Sequence, residues 1–472
     1  MKPPPKPREI FDREREWSSL VQFVTSEDAR VRFGVVYGRR RQGKSWLVER
    51  IADRAHGRYW EAPEGTVRQQ LDAFAGHFRT WTKLPAAPRF ETWNDALQAV
   101  WQTNTPILVL DEFQHLVASS PELPSVLQAR VSRRGGPRLI ICGSALGPMR
   151  QLLGANAPLR GRASLELVVR PFDYRTSARY WHVKDRTRAV QLHSLVGGTP
   201  AYLDFAGGRT PTDFTTIDDW ACDVLLSPAG ALFREGRLLT DEPTLQDRGL
   251  YHGVLAAVAG GRTRRGQIAA ALGRPENTLA HPLNALVELA LLERIDDPLH
   301  ARRSIFRLAE PLLRTYETLI APNESAIERR GAHKIWKLLR ATVSAQIYGP
   351  HFEHLAREWV ATHASEHTLG GVPNAVGPSV VADVSAKKEL EIDVVACSGN
   401  RVLAIGEAKW TSQPLGTGVL DQLARKKALL GARAAEAKLL LFSSSSFDRE
   451  LMARARKGHV ELVDLERLYG GD

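Results

Sequence analysis

Short apolar runs alternate with amphipathic stretches through the first half of this chain. Val31 to Tyr37, Ile107 to Leu110 and Arg138 to Cys142 are apolar on both faces of an extended chain and too short for helices. They predict buried strands of a parallel sheet, with helices between them. Phe11 to Leu20 predicts a charged helix before the first strand, and Trp46 to Ile51 a helix after it. The pattern changes at about residue 242. Leu250 to Ala259, Arg264 to Gly273 and Asn277 to Leu286 predict three short helices, and Leu291 to Ile295 and Ser304 to Leu308 predict two strands. That order is a winged helix built on a helix-turn-helix. Pro282 inside the third helix predicts a late start or a kink. Ala321-Pro322-Asn323-Glu324-Ser325 predicts a linker. Beyond it, Leu390 to Ala396 and Val402 to Trp410 predict a hairpin turning at Asn400, between helices at 352–359 and 419–430. The expected organisation is an α/β part with a helical lid at 8–235, a winged helix at 236–322 and a second α/β part at 326–472.

Composition narrows this little. Of 472 residues, 43% are hydrophobic and 25% charged, the balance of an ordinary globular chain. No apolar run is long enough to span a bilayer, so no membrane partner is expected. Met1 to Pro7 lacks the apolar segment of a secretory signal. Cys142, Cys222 and Cys397 are far apart and odd in number, which argues against a disulfide framework and for the cytoplasm. The net charge of +11 favours a polyanionic partner, nucleic acid and DNA first. Arginine-rich chains can also be this basic without binding DNA.

The candidate chemistry begins at Gly38-Arg39-Arg40-Arg41-Gln42-Gly43-Lys44-Ser45, which fits G-x-x-x-x-G-K-[ST] between a strand and a helix. Backbone N–H groups of such a loop cradle phosphates. Lys44 is expected at the β- and γ-phosphates of ATP, and Ser45 at Mg²⁺. Ile107 to Glu112 is an apolar strand ending in two carboxylates. Asp111 is expected to hold Mg²⁺, and Glu112 to activate the attacking water. Downstream, Pro158-Leu159-Arg160-Gly161-Arg162 offers Arg162, or Arg160, to stabilise transition-state charge, in cis or across a subunit interface of a homo-oligomer. A surface arginine without a role fits the same pattern. In the predicted C-terminal hairpin, Asp393 precedes Glu407-Ala408-Lys409. Residues two apart on a strand share a face. Asp393 and Glu407 would hold a second Mg²⁺, or Mn²⁺, and Lys409 would position water at a phosphodiester. The same three charges also suit a solvated, salt-bridged hairpin.

Taken in order, G-R-R-R-x-G-K-[ST], L-D-E-F-Q, L-x-I-C-G-S, P-L-x-G-R and G-G-x-P-A-Y-L resemble archaeal and bacterial ATPases of the AAA+/STAND superfamily that carry a C-terminal nuclease-like domain. The resemblance covers about Phe11 to Phe447. It implies that Ser144 senses the γ-phosphate, that Pro200 packs against the base, and that the Phe11 to Leu20 element lies beside the adenine. Gln42 departs from the family, where a small apolar residue is usual. The hairpin resembles the PD-(D/E)XK restriction-endonuclease fold, which implies a further carboxylate on a preceding helix, Glu353 before Glu358, and a role for Gln422 on the following one. Ile392 stands where the family proline would precede Asp393. In STAND proteins the winged helix often holds the ATPase in one state and touches no DNA; otherwise Arg302 and Arg303 at the wing tip would meet phosphates. The expected function is an ATP-hydrolysing switch coupled to a DNA-directed, metal-dependent nuclease-like domain. The alternative is a regulatory, DNA-binding ATPase whose C-terminal domain does not cleave.

Overall fold

The computed structural model describes residues 3–28, 30–132, 135–144, 146–154, 157–239 and 247–472. Residues 240–246, at the start of the expected winged helix, lie outside them. The chain forms two compact units. The first is Met1–Pro171 with Thr199–Ala201, and the second is Phe172–Gly198 with Tyr202–Asp472.

In the first unit, helix α1 (Glu14–Thr25) precedes strand β1 (Phe33–Tyr37), and α2 (Lys44–Arg54) follows the glycine-rich loop. Strands β2 (Arg58–Glu61), β3 (Ile107–Asp111), β4 (Arg138–Gly143) and β5 (Leu165–Val168) complete a parallel sheet of order β2-β3-β4-β1-β5. Strands β1 and β3 are buried at every position, which explains their unbroken apolar sequence. The register sets Tyr37 beside both Gly143 and Val168. The loop after Tyr37, the carboxylates after Leu110 and Ser144 after Gly143 therefore leave the same edge of the sheet. This is the carboxyl edge, where open parallel sheets bind ligands.

The second unit begins with helices α3 (Tyr174–Tyr180) and α4 (Arg186–Val196). Helices α5 (Arg248–Ala259), α6 (Arg265–Ala271) and α7 (Ala280–Glu288) follow, then an antiparallel hairpin of β6 (Leu292–Asp296) and β7 (Ser304–Leu308). A 3-10 turn, Glu276–Leu279, precedes α7, so Pro282 falls in the first turn of the helix, where its missing N–H costs nothing. The expected linker at 321–325 is helical instead. Pro311–Thr315, Tyr316–Ile320, Ala321–Asn323 and Glu324–Arg330 run on as α, π, 3-10 and α turns. Buried Leu319, Ile320 and Ile327 anchor that run to the core, and Pro322 sits at the start of its turn, where proline is tolerated.

Helix α8 (Gly349–Thr362) then packs on a five-stranded mixed sheet, β8 (Ala375–Asp383), β9 (Lys388–Ser398), β10 (Arg401–Lys409), β11 (Lys438–Ser443) and β12 (Glu461–Val463), in sequential order. Strands β8, β9 and β10 are antiparallel, and β10, β11 and β12 parallel, with α9 (Thr417–Leu429) crossing between β10 and β11. Helix α10 (Leu465–Gly470) closes the chain. One core runs through Tyr174, Trp181, Trp220, Phe352, Trp359 and Phe442. The helices of 172–235, expected as a lid on the first α/β part, thus share their core with the C-terminal part. Among the described residues no helix is long and apolar enough to cross a membrane.

Candidate functional site

The glycine-rich loop turns on two residues without side-chain bulk. Gly43 has φ +80°, a left-handed conformation that favours glycine, and nothing lies within 4 Å of where its Cβ would be. A Cβ on Gly38 would come 2.2 Å from the Val169 carbonyl oxygen. The loop therefore runs tight against β5 at one end and stays open at the other. Lys44, 5% exposed, donates from Nζ to the Arg39 carbonyl at 2.7 Å. Burial lowers its pKa, while Cys142, Glu112 and Asp111 act in the opposite sense. Gln42, the departure from the family pattern, is buried and donates from Nε2 to Thr199 Oγ1 at 2.9 Å. Arg13, buried and ion-paired to Glu16 at 2.9 Å, donates to the Gln42 carbonyl at 3.3 Å. The loop is thus clamped between the start of α1 and Thr199. Pro200 itself is half-buried beside Thr199.

Asp111 is fully buried at the end of β3. Its Oδ2 accepts from the Tyr59 hydroxyl at 2.8 Å and its Oδ1 from the Glu112 backbone N–H at 2.8 Å. Burial, then Asp111, pushes the Tyr59 pKa upward, so Tyr59 stays a donor. Glu112 takes φ +49°, an uncommon conformation for a residue with a side chain. Its Oε2 accepts from Gln114 Nε2 and, at 3.1 Å, from Ser144 Oγ; Gln114 Nε2 also reaches Ser144 Oγ at 3.2 Å. The structure brings Lys44, Asp111, Glu112 and Ser144 to one sheet edge. Arg162 is exposed, and its side chain makes no hydrogen bond or ion pair among the described residues.

An open anion cradle, a buried lysine and a buried carboxylate fit a nucleoside triphosphate with Mg²⁺. The loop N–H groups and Lys44 would hold the phosphates, and Ser45 and Asp111 the cation. Sequence reasoning missed Tyr59 and Gln114. Gln114 lies two residues past Glu112 and was open to suspicion, whereas Tyr59 reaches Asp111 from a separate strand.

In the second unit, Asp393 on β9 and Glu407 and Lys409 on β10 converge. Lys409 Nζ lies 3.2 Å from Asp393 Oδ2 and 2.9 Å from Glu407 Oε2. Burial opposes its charge, but the two carboxylates outweigh it and raise the pKa. Asp393 Oδ2 also accepts from the Ala408 N–H at 2.9 Å, and Arg357 Nη1 on α8 donates to the Asp393 carbonyl at 2.8 Å. Glu353 faces the same group. Burial, then Asp393, pushes its pKa up to about 7 against Arg357 and Lys409. Glu358 points elsewhere, toward His354 at 3.7 Å. Gln422 is exposed on α9; one turn on, Lys426 donates to Glu407 Oε1 instead. Both oxygens of Glu407 are therefore held by ammonium groups. Among the described residues no three His, Cys, Asp or Glu side chains are grouped to hold a metal ion. As arranged, this site is a closed charge cluster and does not fit a second cation.

The expected wing tip is also engaged. Arg303 and Arg264 pair with Glu389 on β9 at 2.8 and 3.4 Å, and Asp297 accepts from Ser379 Oγ on β8 at 2.6 Å. Arg303 thus meets a carboxylate of the C-terminal sheet where a phosphate was expected; Arg302 is exposed.

Residues 10–204 match the model of an ATPase domain found predominantly in Archaea, and residues 316–426 that of a family of archaeal and bacterial proteins of unknown function. An uncharacterised protein of Methanocaldococcus jannaschii is 26% identical over 360 residues, 74% of this chain and 77% of the relative. Among solved structures, the Walker-type ATPase PABY2304 of Pyrococcus abyssi is 20% identical, with a TM-score of 0.51 over 67% of this chain and 99% of that one. The ORC2 protein of Aeropyrum pernix is 17% identical, with a TM-score of 0.41 over 68% of this chain and 96% of its own. Residues 10–204 carry the parallel-sheet fold of a P-loop ATPase domain. Neither family description supports a nuclease assignment for the C-terminal part.

Proposed function

We propose that this chain is an ATP-hydrolysing switch that acts on DNA through a winged helix and a nuclease-like C-terminal domain. The observation that carries the ATPase half is the Glu112–Gln114–Ser144 triangle beside the buried Asp111 and Lys44. Bound ATP with Mg²⁺ supplies the phosphoryl group. The loop N–H groups and Lys44 hold that group in place. Glu112, oriented by Gln114 and Ser144, accepts a proton from the attacking water. Ser144, one residue past the Gly143 that pairs with Tyr37, would sense the γ-phosphate. Arg162, exposed and uncommitted, suits a transition-state contact from a neighbouring copy.

For the C-terminal domain, the order α8, β8, β9, β10, α9, β11 and the convergence of Asp393, Glu407 and Lys409 support a restriction-endonuclease-like scaffold. One observation favours the non-cleaving reading of that scaffold: Lys426 on Glu407. The charge of +11 supports a polyanionic partner for either reading. ATPase and DNA-cleavage assays on wild type, Lys44→Ala and Lys426→Ala, with Mg²⁺ or Mn²⁺, test the proposal. ATP turnover lost in Lys44→Ala alone supports the switch. Cleavage by Lys426→Ala but not by wild type supports a nuclease that Lys426 holds closed, and cleavage by both supports a nuclease that Lys426 does not close. Metal-independent DNA binding without cleavage by any variant supports the scaffold, and absence of ATP turnover in wild type removes the switch.

A further inference from the structure

The parallel sheet brings a side chain to Asp111 from each neighbouring strand. Tyr59 pairs with Val109 in the register of β2 and β3, so both side chains leave the same face of the sheet. Asp111, two residues past Val109, stands on that face too. Trp60, next along β2, points to the other face, where it meets Phe74 edge-on at 5.0 Å between ring centroids. Tyr59 instead lays its half-buried ring against the core that holds Val36, Leu47 and Val109. From the other side, the fully buried Cys142 of β4 lies against the same carboxylate. The Tyr59 hydroxyl has one proton to give. Asp111 Oδ2 takes it at 2.8 Å, since Glu61 Oε2, at 3.5 Å, is beyond the ordinary hydrogen-bond range.

Asp111 has no exposed surface, so its lone pairs must find partners inside the site. The Glu112 N–H holds Oδ1 at 2.8 Å and Tyr59 holds Oδ2, so one donor on each oxygen fixes the plane of the carboxylate. The Lys44 ammonium bears on the same group. Without the Tyr59 proton, Oδ2 would be drawn toward that ammonium and away from a cation. Carboxylates that ligate metals are ordinarily held by such outer donors, and losing one costs about 10- to 100-fold in metal affinity. A second effect runs the other way, because a donor also withdraws charge from the oxygen it binds and so weakens a ligand. Burial decides between them. A buried oxygen stripped of its donor cannot turn to water for a replacement, so the carboxylate itself turns.

We propose that Tyr59 is a positioning residue for the nucleotide-bound cation: its hydroxyl aims Asp111 and so sets the affinity of the site for Mg²⁺, not for the nucleotide. The inference rests on the reading of the glycine-rich loop as an ATP site. Calorimetric titration of a non-hydrolysable ATP analogue into the full chain, once with Mg²⁺ and once with a chelator, tests it. Wild type is expected to bind more tightly with Mg²⁺. Tyr59→Phe keeps the ring and removes only the hydroxyl. It is expected to shrink the gain from Mg²⁺ about tenfold and to leave the affinity in chelator unchanged. That unchanged affinity also shows that the fold stands. The half-saturating Mg²⁺ concentration for ATP turnover is expected to rise by the same factor. In an Asp111→Asn background, Tyr59→Phe should alter the gain no further, because it acts through Asp111. An equal loss with Mg²⁺ and with chelator makes Tyr59 a merely structural residue and overturns the proposal. A larger gain in Tyr59→Phe overturns it too, because charge withdrawal then outweighs aim. Wild type that binds no nucleotide removes the ATP reading itself. Binding by wild type with an unchanged gain in Tyr59→Phe removes only the role of Tyr59.

Discussion

At the scale of single residues, the structure separates groups that touch the reacting centre from groups that aim them. Ser144 and Gln114 both donate to Glu112, so each orients the carboxylate expected to take the proton from water. Replacing either with alanine is expected to lower kcat for ATP about 10- to 100-fold, within the range lost with general-base catalysis. Steady-state kinetics of Gln114→Ala should show KM nearly unchanged, because Gln114 is not placed on the phosphates. A comparable rise in KM would instead assign it to binding. Glu353 makes a different prediction. Its pKa is pushed up to about 7, above the ordinary carboxylate value. Its contribution to stability is therefore complete at acid pH, below the unfolded carboxylate range, and lost as pH rises through about 7. Glu353→Gln removes that loss. Its melting temperature should match wild type near pH 5 and exceed it by roughly 3 °C or more at pH 8. A gap that widens toward acid would refute the assignment. The residues legible in the sequence were those that follow one another: the loop, Asp111-Glu112 and Glu407-Ala408-Lys409. Tyr59, Arg357 and Lys426 reach their partners from separate strands or helices, and no spacing rule reveals such a meeting.

At the scale of elements, the apolar runs marked the buried strands well because burial on both faces leaves no alternation to misread. The linker expected at 321–325 failed for the converse reason. Proline and asparagine suggest a break, but the flanking Ile320 and Ile327 are buried and hold the helical run together. The hairpin of β6 and β7 carries the clearest consequence. Its tip is docked on β8 and β9 through Asp297 and Arg303, and Arg264, just before α6, joins Arg303 at Glu389. Exposed ion pairs contribute little each, about 0–1 kcal/mol, so losing them leaves the packing of Leu299 on the C-terminal core in place. Glu389→Lys should release Arg303 and Arg264 and raise affinity for duplex DNA about tenfold in 100 mM salt, with a steeper salt dependence than wild type. Fluorescence anisotropy across a salt series would measure this. Equal slopes would show that these arginines never meet phosphate.

At the scale of the whole molecule, charge and copy number make the remaining predictions. Arg162 is exposed, so a contact to ATP in trans requires a second copy. Arg162→Ala should lower turnover about 10³-fold, as for an arginine finger. Mixing it with Lys44→Ala should restore activity, because each mixed interface pairs one intact loop with one intact arginine. Failure of the mixture to recover would place Arg162 in cis or outside the reaction. The chain also leaves the second unit at Thr199 and returns to it at Tyr202, so that Gln42 finds its partner 157 residues later. That separation sets a clock on synthesis. At the usual 5–20 residues per second, roughly 8–30 s pass between the emergence of Gln42 and that of Thr199. Throughout that interval the glycine-rich loop has the Arg13 half of its clamp but not the Thr199 half. A nascent chain should therefore gain tight nucleotide retention only when a ribosome has passed well beyond Thr199, a threshold that stalled chains of graded length would reveal.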